Sequence, residues 1–266
     1  MAQEKWLVDG AKVIDIESVS RLKVSLIAGK VDIVGHDEPG ARVEVHSVSG
    51  KELKISIDDG TLEIDHPQLS WDNFIEVFSS FRGSAKADVS IMVPRSVALT
   101  LGVVSASALV SGLETDATIS AVNGDLVVDG LTGALQLNGV SGEIAVSGHA
   151  GRVAARTVSG DITASGDLSV FTAETVSGEV FTDVTGIPDE VRISTVSSAI
   201  TTRLAAGVPA QYKINTVGGK VHLDNVEIKG VHGQYTGKYG SLDTHWLDFR
   251  ANTVSGNINV LHAVSA

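Results

Sequence analysis

The 266-residue chain contains no cysteine. That removes disulfide scaffolds and cysteine-ligated metal sites, and it fits a reducing compartment. Proline is scarce, at five residues against twenty-eight glycines, which points to many ordered turns rather than a Pro/Gly-rich disordered chain. No apolar run approaches the ~20 residues that a membrane-spanning helix requires. The opening MAQEKWLVDGAKVIDIE lacks the basic-then-apolar order of a signal peptide, so the expected location is cytoplasmic. Positive charge is also in short supply, with 20 basic against 32 acidic residues and a net charge of −12. A field of that sign repels phosphate backbones and anionic lipid, which argues against nucleic acid and membrane surface as partners.

What the chain has in abundance is repetition. Cut every nine residues from Val122, it reads VNGDLVVDG, LTGALQLNG, VSGEIAVSG, HAGRVAART, VSGDITASG, a weaker DLSVFTAET, then VSGEVFTDV. Position one is mostly Val or Leu, position three Gly, and positions five and seven small or branched apolar residues. Val104, Val122, Val140, Val158 and Val176 stand 18 apart, with Val196, Val217 and Val254 continuing the series at longer steps. The structural coil is therefore about 18 residues, two nonapeptides long. One nonapeptide cannot bury a core alone; stacking strand on strand at about 4.8 Å supplies one. The fold class is all-β, a single-chain β-solenoid, and seven steps of that rise span roughly 34 Å.

Before the repeat, residues 1–100 read as an N-terminal β region continuous with the solenoid. Leu22, Val24 and Leu26, then Val31 and Ile33, then Val43 and Val45 alternate as half-buried strands do, and Asp58-Asp59-Gly60 forms a hairpin turn. In SWDNFIEVFSSFRG the period changes to three and four, which predicts a short helix over 72–82 capping the β-core. Its aromatics Trp71, Phe74, Phe78 and Phe81 form a candidate contact stripe. Residues 101–266 are the regular solenoid, interrupted by an insertion over 224–250 that carries Tyr235, Tyr239, His245 and Trp246. Tyr and Trp anchor interfaces, so these four are the second candidate surface. An open solenoid end is an edge strand that must be capped or used.

Candidate chemistry is sparse. Asp125, Glu143, Asp161 and Glu179, each 18 from the last, stack into a carboxylate ladder. Neighbouring rungs repel by about 0.9 kcal/mol in water, so the ladder faces solvent. Calcium-binding nonapeptide rolls carry a richer G-G-x-G-x-D phrase than this chain does. His222, His232 and His245 have no metal-ligand spacing, and Arg152 and Arg156 fall at different phases with no paired aspartates beside them. No cofactor, metal or catalytic residue is expected.

The recurring Thr-Val-Ser-Gly-Asp/Glu-Ile, as in Thr157 to Ile162 and Thr175 to Val180, resembles the bacterial β-strand-repeat family labelled "putative adhesin", a domain of unknown function. The run-in Val93-Pro94-Arg95-Ser96-Val97-x-Leu99 resembles it too, and the likeness covers roughly residues 20 to 262. It implies a β-solenoid and a bacterial source, and brings no active-site residue with it. The leading expectation is a non-enzymatic structural or interaction module that self-associates or binds another protein. An adhesin-like module for glycan or another surface ligand is the alternative, weakened because residues 100 to 210 offer only Phe171 and Phe181 as aromatics. An enzyme acting on polysaccharide ranks third.

Overall fold

A computed structural model describes residues 4–66, 85–224, 226–228, 231 and 233–264. The described residues are strands and turns, with no helix among them. The helix expected over 72–82, with Trp71, Phe74, Phe78 and Phe81, lies outside them, as does His232. The chain forms two compact units, Met1–Gly133 and Ala134–Ala266.

The first unit is built around a sixteen-residue strand, β3 (Arg21–His36), with β1 (Glu4–Val8) and β2 (Lys12–Ile16) before it. Its alternation buries Leu22, Val24 and Leu26, breaks at Ile27–Gly29, then resumes with Val31 and Ile33, so one strand turns a corner and supplies two faces. Gly29 makes the corner possible: its φ is +118°, and a Cβ there would lie 1.9 Å from the Ala87 carbonyl oxygen. After β4 (Ala41–Ser49) and β5 (Leu53–Asp58) come β6 (Thr61–Asp65) and β7 (Lys86–Pro94), which run parallel to the two halves of β3. On the other side β8 (Ala98–Ser111) follows both halves of β3 in register. Then β9 (Ala117–Asn123) pairs with the first half of β8 and β10 (Leu126–Asp129) with the second. The outer layers reverse direction: β5 is antiparallel to β6 and β4 to β7, with β1 and β2 outside them. The β5–β6 turn is the expected one, with positive φ at Asp59 and Gly60.

The second unit contains β11 (Thr132–Ser141, most of it here), β12 (Ile144–Arg156) and β13 (Ile162–Glu174). The last two are parallel, each bent at a corner and offset by the expected 18 residues from Ile144 to Ile162. The next coil is split into β14 (Val180–Val184) and β15 (Glu190–Ser194), and β16 (Ile200–Leu204) stacks on β14. Here the order of the chain and the order of the stack part company. The strands that follow are β17 (Ala210–Thr216), β18 (Val221–Leu223), β19 (Val226–Ile228), β20 (Gly233–Tyr239), β21 (Leu247–Thr253) and β22 (Ile258–His262). The C-terminal pair β21–β22 lies directly on β15 and β16, and the earlier pair β17–β18 lies on its far side. The last copy of the phrase, which the sequence suggests should end the stack, is therefore intercalated one rung inside it. The outermost coil is covered by its own return strands, β19 antiparallel to β18 and β20 antiparallel to β17.

Candidate interaction surface

The phrase Thr-Val-Ser-Gly is a corner of the second unit, and its local chemistry decides what faces water. The threonines Thr157, Thr175, Thr195, Thr216 and Thr253 are buried. Three of their hydroxyls accept the backbone N–H three residues on, from Ser198 (3.0 Å), Gly219 (2.9 Å) and Gly256 (2.9 Å). This side-chain-to-backbone bond tightens the turn and leaves the intervening valine at its tip. The glycine follows because coils meet backbone to backbone: Gly178 has φ +128°, and a Cβ on it would lie 2.2 Å from the Gly160 oxygen.

The valine at each tip consequently points outward. Val140, Val158, Val176, Val196, Val254 and Val217 are 46, 50, 49, 46, 51 and 70 % exposed. Backbone bonds place them in that spatial order. The N–H groups of Ser159, Ser177 and Ser197 donate to the carbonyls of Val140, Val158 and Val176; Val254 donates to Val196 and Gly218 to Val254. Five steps of about 4.8 Å give an apolar ridge about 24 Å long. The repeat pattern alone reads these valines as core; the Thr before every one but Val140, which follows Gly139, and the Ser or Gly residues after each are the signals that mark a turn tip instead.

Two polar columns flank the ridge. On one side Glu143, Asp161 and Glu179 are exposed and stacked, through the pairing of Ile144, Ile162 and Val180. The Asp161 carboxylate accepts the Glu179 N–H at 2.7 Å, so the ladder is tied into the backbone of the next coil. The same place in later coils holds Ala199, Asn257 and Lys220, and the Asn257 amide oxygen accepts the Lys220 N–H at 3.1 Å. The column thus runs from three carboxylates to an ammonium. Asp125 is also exposed, in the first unit. On the other side lie Arg156 and Glu174, paired at 3.0 Å, then Ser194, Asn252 and Asn215, linked by amide hydrogen bonds. Between this column and Val176 and Val196 is a shallow depression of about 370 Å³, with the buried threonines 157, 175 and 195 as its floor.

The insertion residues sit elsewhere. Tyr235 and Tyr239 are on β20; the Tyr239 ring stacks on His262 at 3.9 Å, and His262 Nδ1 lies 3.0 Å from Asp224. Beneath them Tyr212 meets Phe249 edge-to-face at 5.9 Å, and burial pushes its phenol pKa well up. His245 reaches Asp189 at 2.9 Å, and Trp246 is 37 % exposed. These four do not converge with the carboxylate ladder. Among the described residues no three His, Asp or Glu side chains come together as a metal-holding group.

A model of the family described as Toastrack DUF4097 matches residues 19–261. No curated protein matches. Among solved structures the chain is similar to a "putative adhesin" from Bacteroides fragilis, at 10 % identity over 94 % of this chain and 97 % of that one, with a TM-score of 0.49. A "putative lipid binding protein" from Parabacteroides distasonis is similar at 13 % identity over 95 % and 97 %, with a TM-score of 0.47. A "putative cell adhesion protein" from Clostridium sporogenes is similar at 14 % identity over 98 % and 100 %, with a TM-score of 0.35.

Proposed function

The chain belongs to the Toastrack DUF4097 family, and from that premise we propose that it is a non-enzymatic interaction module that works by self-association. The observation that carries this reading is the row of six half-exposed valines on one corner of the second unit. Isolated exposed apolar residues are ordinary, but a contiguous row rimmed by polar columns is the signature of a contact surface. The polar groups beside the ridge support a recognition role over a catalytic one: they are solvent-open, and Asp161 is engaged by backbone. Sedimentation over a wide concentration range tests the reading. Mass that rises with concentration is expected; a strict monomer throughout contradicts it.

One observation favours a second reading, the adhesin-like capture of a glycan. The depression beside the ridge presents the Arg156–Glu174 pair and Ser194 to a ligand, groups that hydrogen-bond sugar hydroxyls. A glycan array distinguishes the two, since binding abolished by Glu174→Ala supports capture and silence removes it.

A further inference from the structure

We propose that the occupant of the valine ridge is a second copy of this chain, docked ridge to ridge in the opposite direction about a two-fold axis. The proposal rests on the self-association reading and gives it a geometry. A ridge whose rungs repeat at the strand spacing stays in step, rung against rung, with another stack of the same spacing, which a second copy supplies automatically.

The flanking charges choose the direction. An axis across the ridge reverses it and opposes each flank to the same flank of the partner. Glu143 then meets Lys220, Asp161 meets Asn257 and Glu179 meets Ala199; on the other flank Arg156 meets Asn252 and Glu174 meets Ser194. No like charges face one another, and the two-fold makes the Glu143–Lys220 contact twice. An axis along the ridge keeps the direction and opposes unlike flanks at the same rung. Asp161 then gains Arg156, but Glu179 is set against Glu174, and the two contacts cancel. The reversed arrangement is the one that charge complementarity favours.

Lys220 is accessible, with its side chain 67 % exposed and its ammonium in a loose ion pair with the Glu227 carboxylate at 4.0 Å, beyond hydrogen-bond reach. Glu227 nevertheless competes for it. The ridge and its flanks cover on the order of 500 Å² per copy, below the roughly 800 Å² of a standard stable interface. A contact of that size falls in the weak, transient class.

The test uses the intact chain with two surface variants, Glu143→Lys and Lys220→Glu, each checked for an unchanged far-UV circular dichroism spectrum. Sedimentation velocity should show each variant alone associating about tenfold more weakly than the parent, because two attractions become two repulsions. An equimolar mixture, one variant fluorescently labelled, should recover affinity to within about threefold of the parent, since the substituted positions attract across the two-fold axis. If the parent associates but the mixture is no tighter than either variant, the reversed ridge pairing is wrong while self-association stands. If the parent is monomeric at every concentration, both fall.

Discussion

A threonine hydroxyl can stabilise or burden this fold depending on whether a backbone N–H lies within its reach. Thr253 accepts from Gly256 at the corner, whereas Thr202 is fully buried with no partner for its Oγ1 among the described residues. The same isosteric change should therefore act with opposite signs in urea unfolding. Thr253→Val is expected to cost about 1–2 kcal/mol by orphaning a buried donor, and Thr202→Val to gain about 1 kcal/mol by removing an orphaned hydroxyl. Glycine divides in a similar way. Gly178 and Gly207 both have positive φ, but only Gly178 would place a Cβ against backbone, so Gly178→Ala should cost at least about 2 kcal/mol more than Gly207→Ala. His66 provides a pH signature. It is buried, its Nδ1 accepts the Ile27 N–H, and desolvation followed by Lys51 lowers its pKa from 6.5 to about 4. Between those values the unfolded chain binds the proton and the native one does not. The associated stability is fully present above pH 6.5 and is lost as pH falls toward 4, by about 3 kcal/mol at most. Unfolding free energies measured at pH 4 and pH 7 should differ by less in His66→Gln than in the parent.

At the scale of elements, the intercalated C-terminal coil makes a prediction that a sequential stack does not. Strand β21 is flanked by β15 and β17, and β22 by β16 and β18, whereas β20 pairs with β17 on one side among the described residues. Native-state hydrogen exchange should find the amides of Phe249, Ala251 and Val260 protected like those of Val191 and Ile193. The outward amides of β20, earlier in the chain, should exchange much faster. The period of nine and its doubling to 18 were legible because they follow from which positions face the core. The order of the rungs was not legible: Val191, Phe249 and Tyr212 occupy one phase in three coils, so the pattern is equally satisfied whichever coil lies in the middle. The ridge was hidden for a related reason. Valine reads as core in a periodic pattern, and only the turn-forming Thr, Ser and Gly around it show that Val176 is at a tip. The exposure of Glu143, Asp161 and Glu179 follows from repulsion between stacked carboxylates, but the continuation of their column to Lys220 was not legible, because insertions displace that lysine from the period.

At the scale of the whole chain, apolar exposure is uneven. In the first unit the equivalent Val104 is 8 % exposed and Val122 half-buried, while the six valines of the ridge all belong to the second unit. A chain with net charge −12 gains nothing from bringing copies together nonspecifically, so association has to come from a local surface strong enough to overcome that repulsion. The family match over residues 19–261 covers both units, and the valine ridge lies in the second. The proposed self-association runs through the valine ridge, whose middle is Val176 and Val196. The most direct measurement is sedimentation equilibrium of the parent against the double variant Val176→Asp/Val196→Asp, which puts charge at the middle of the ridge without touching the core. A concentration-dependent rise in mass is expected for the parent and a monomer at every concentration for the folded double variant. Equal association by both would contradict it.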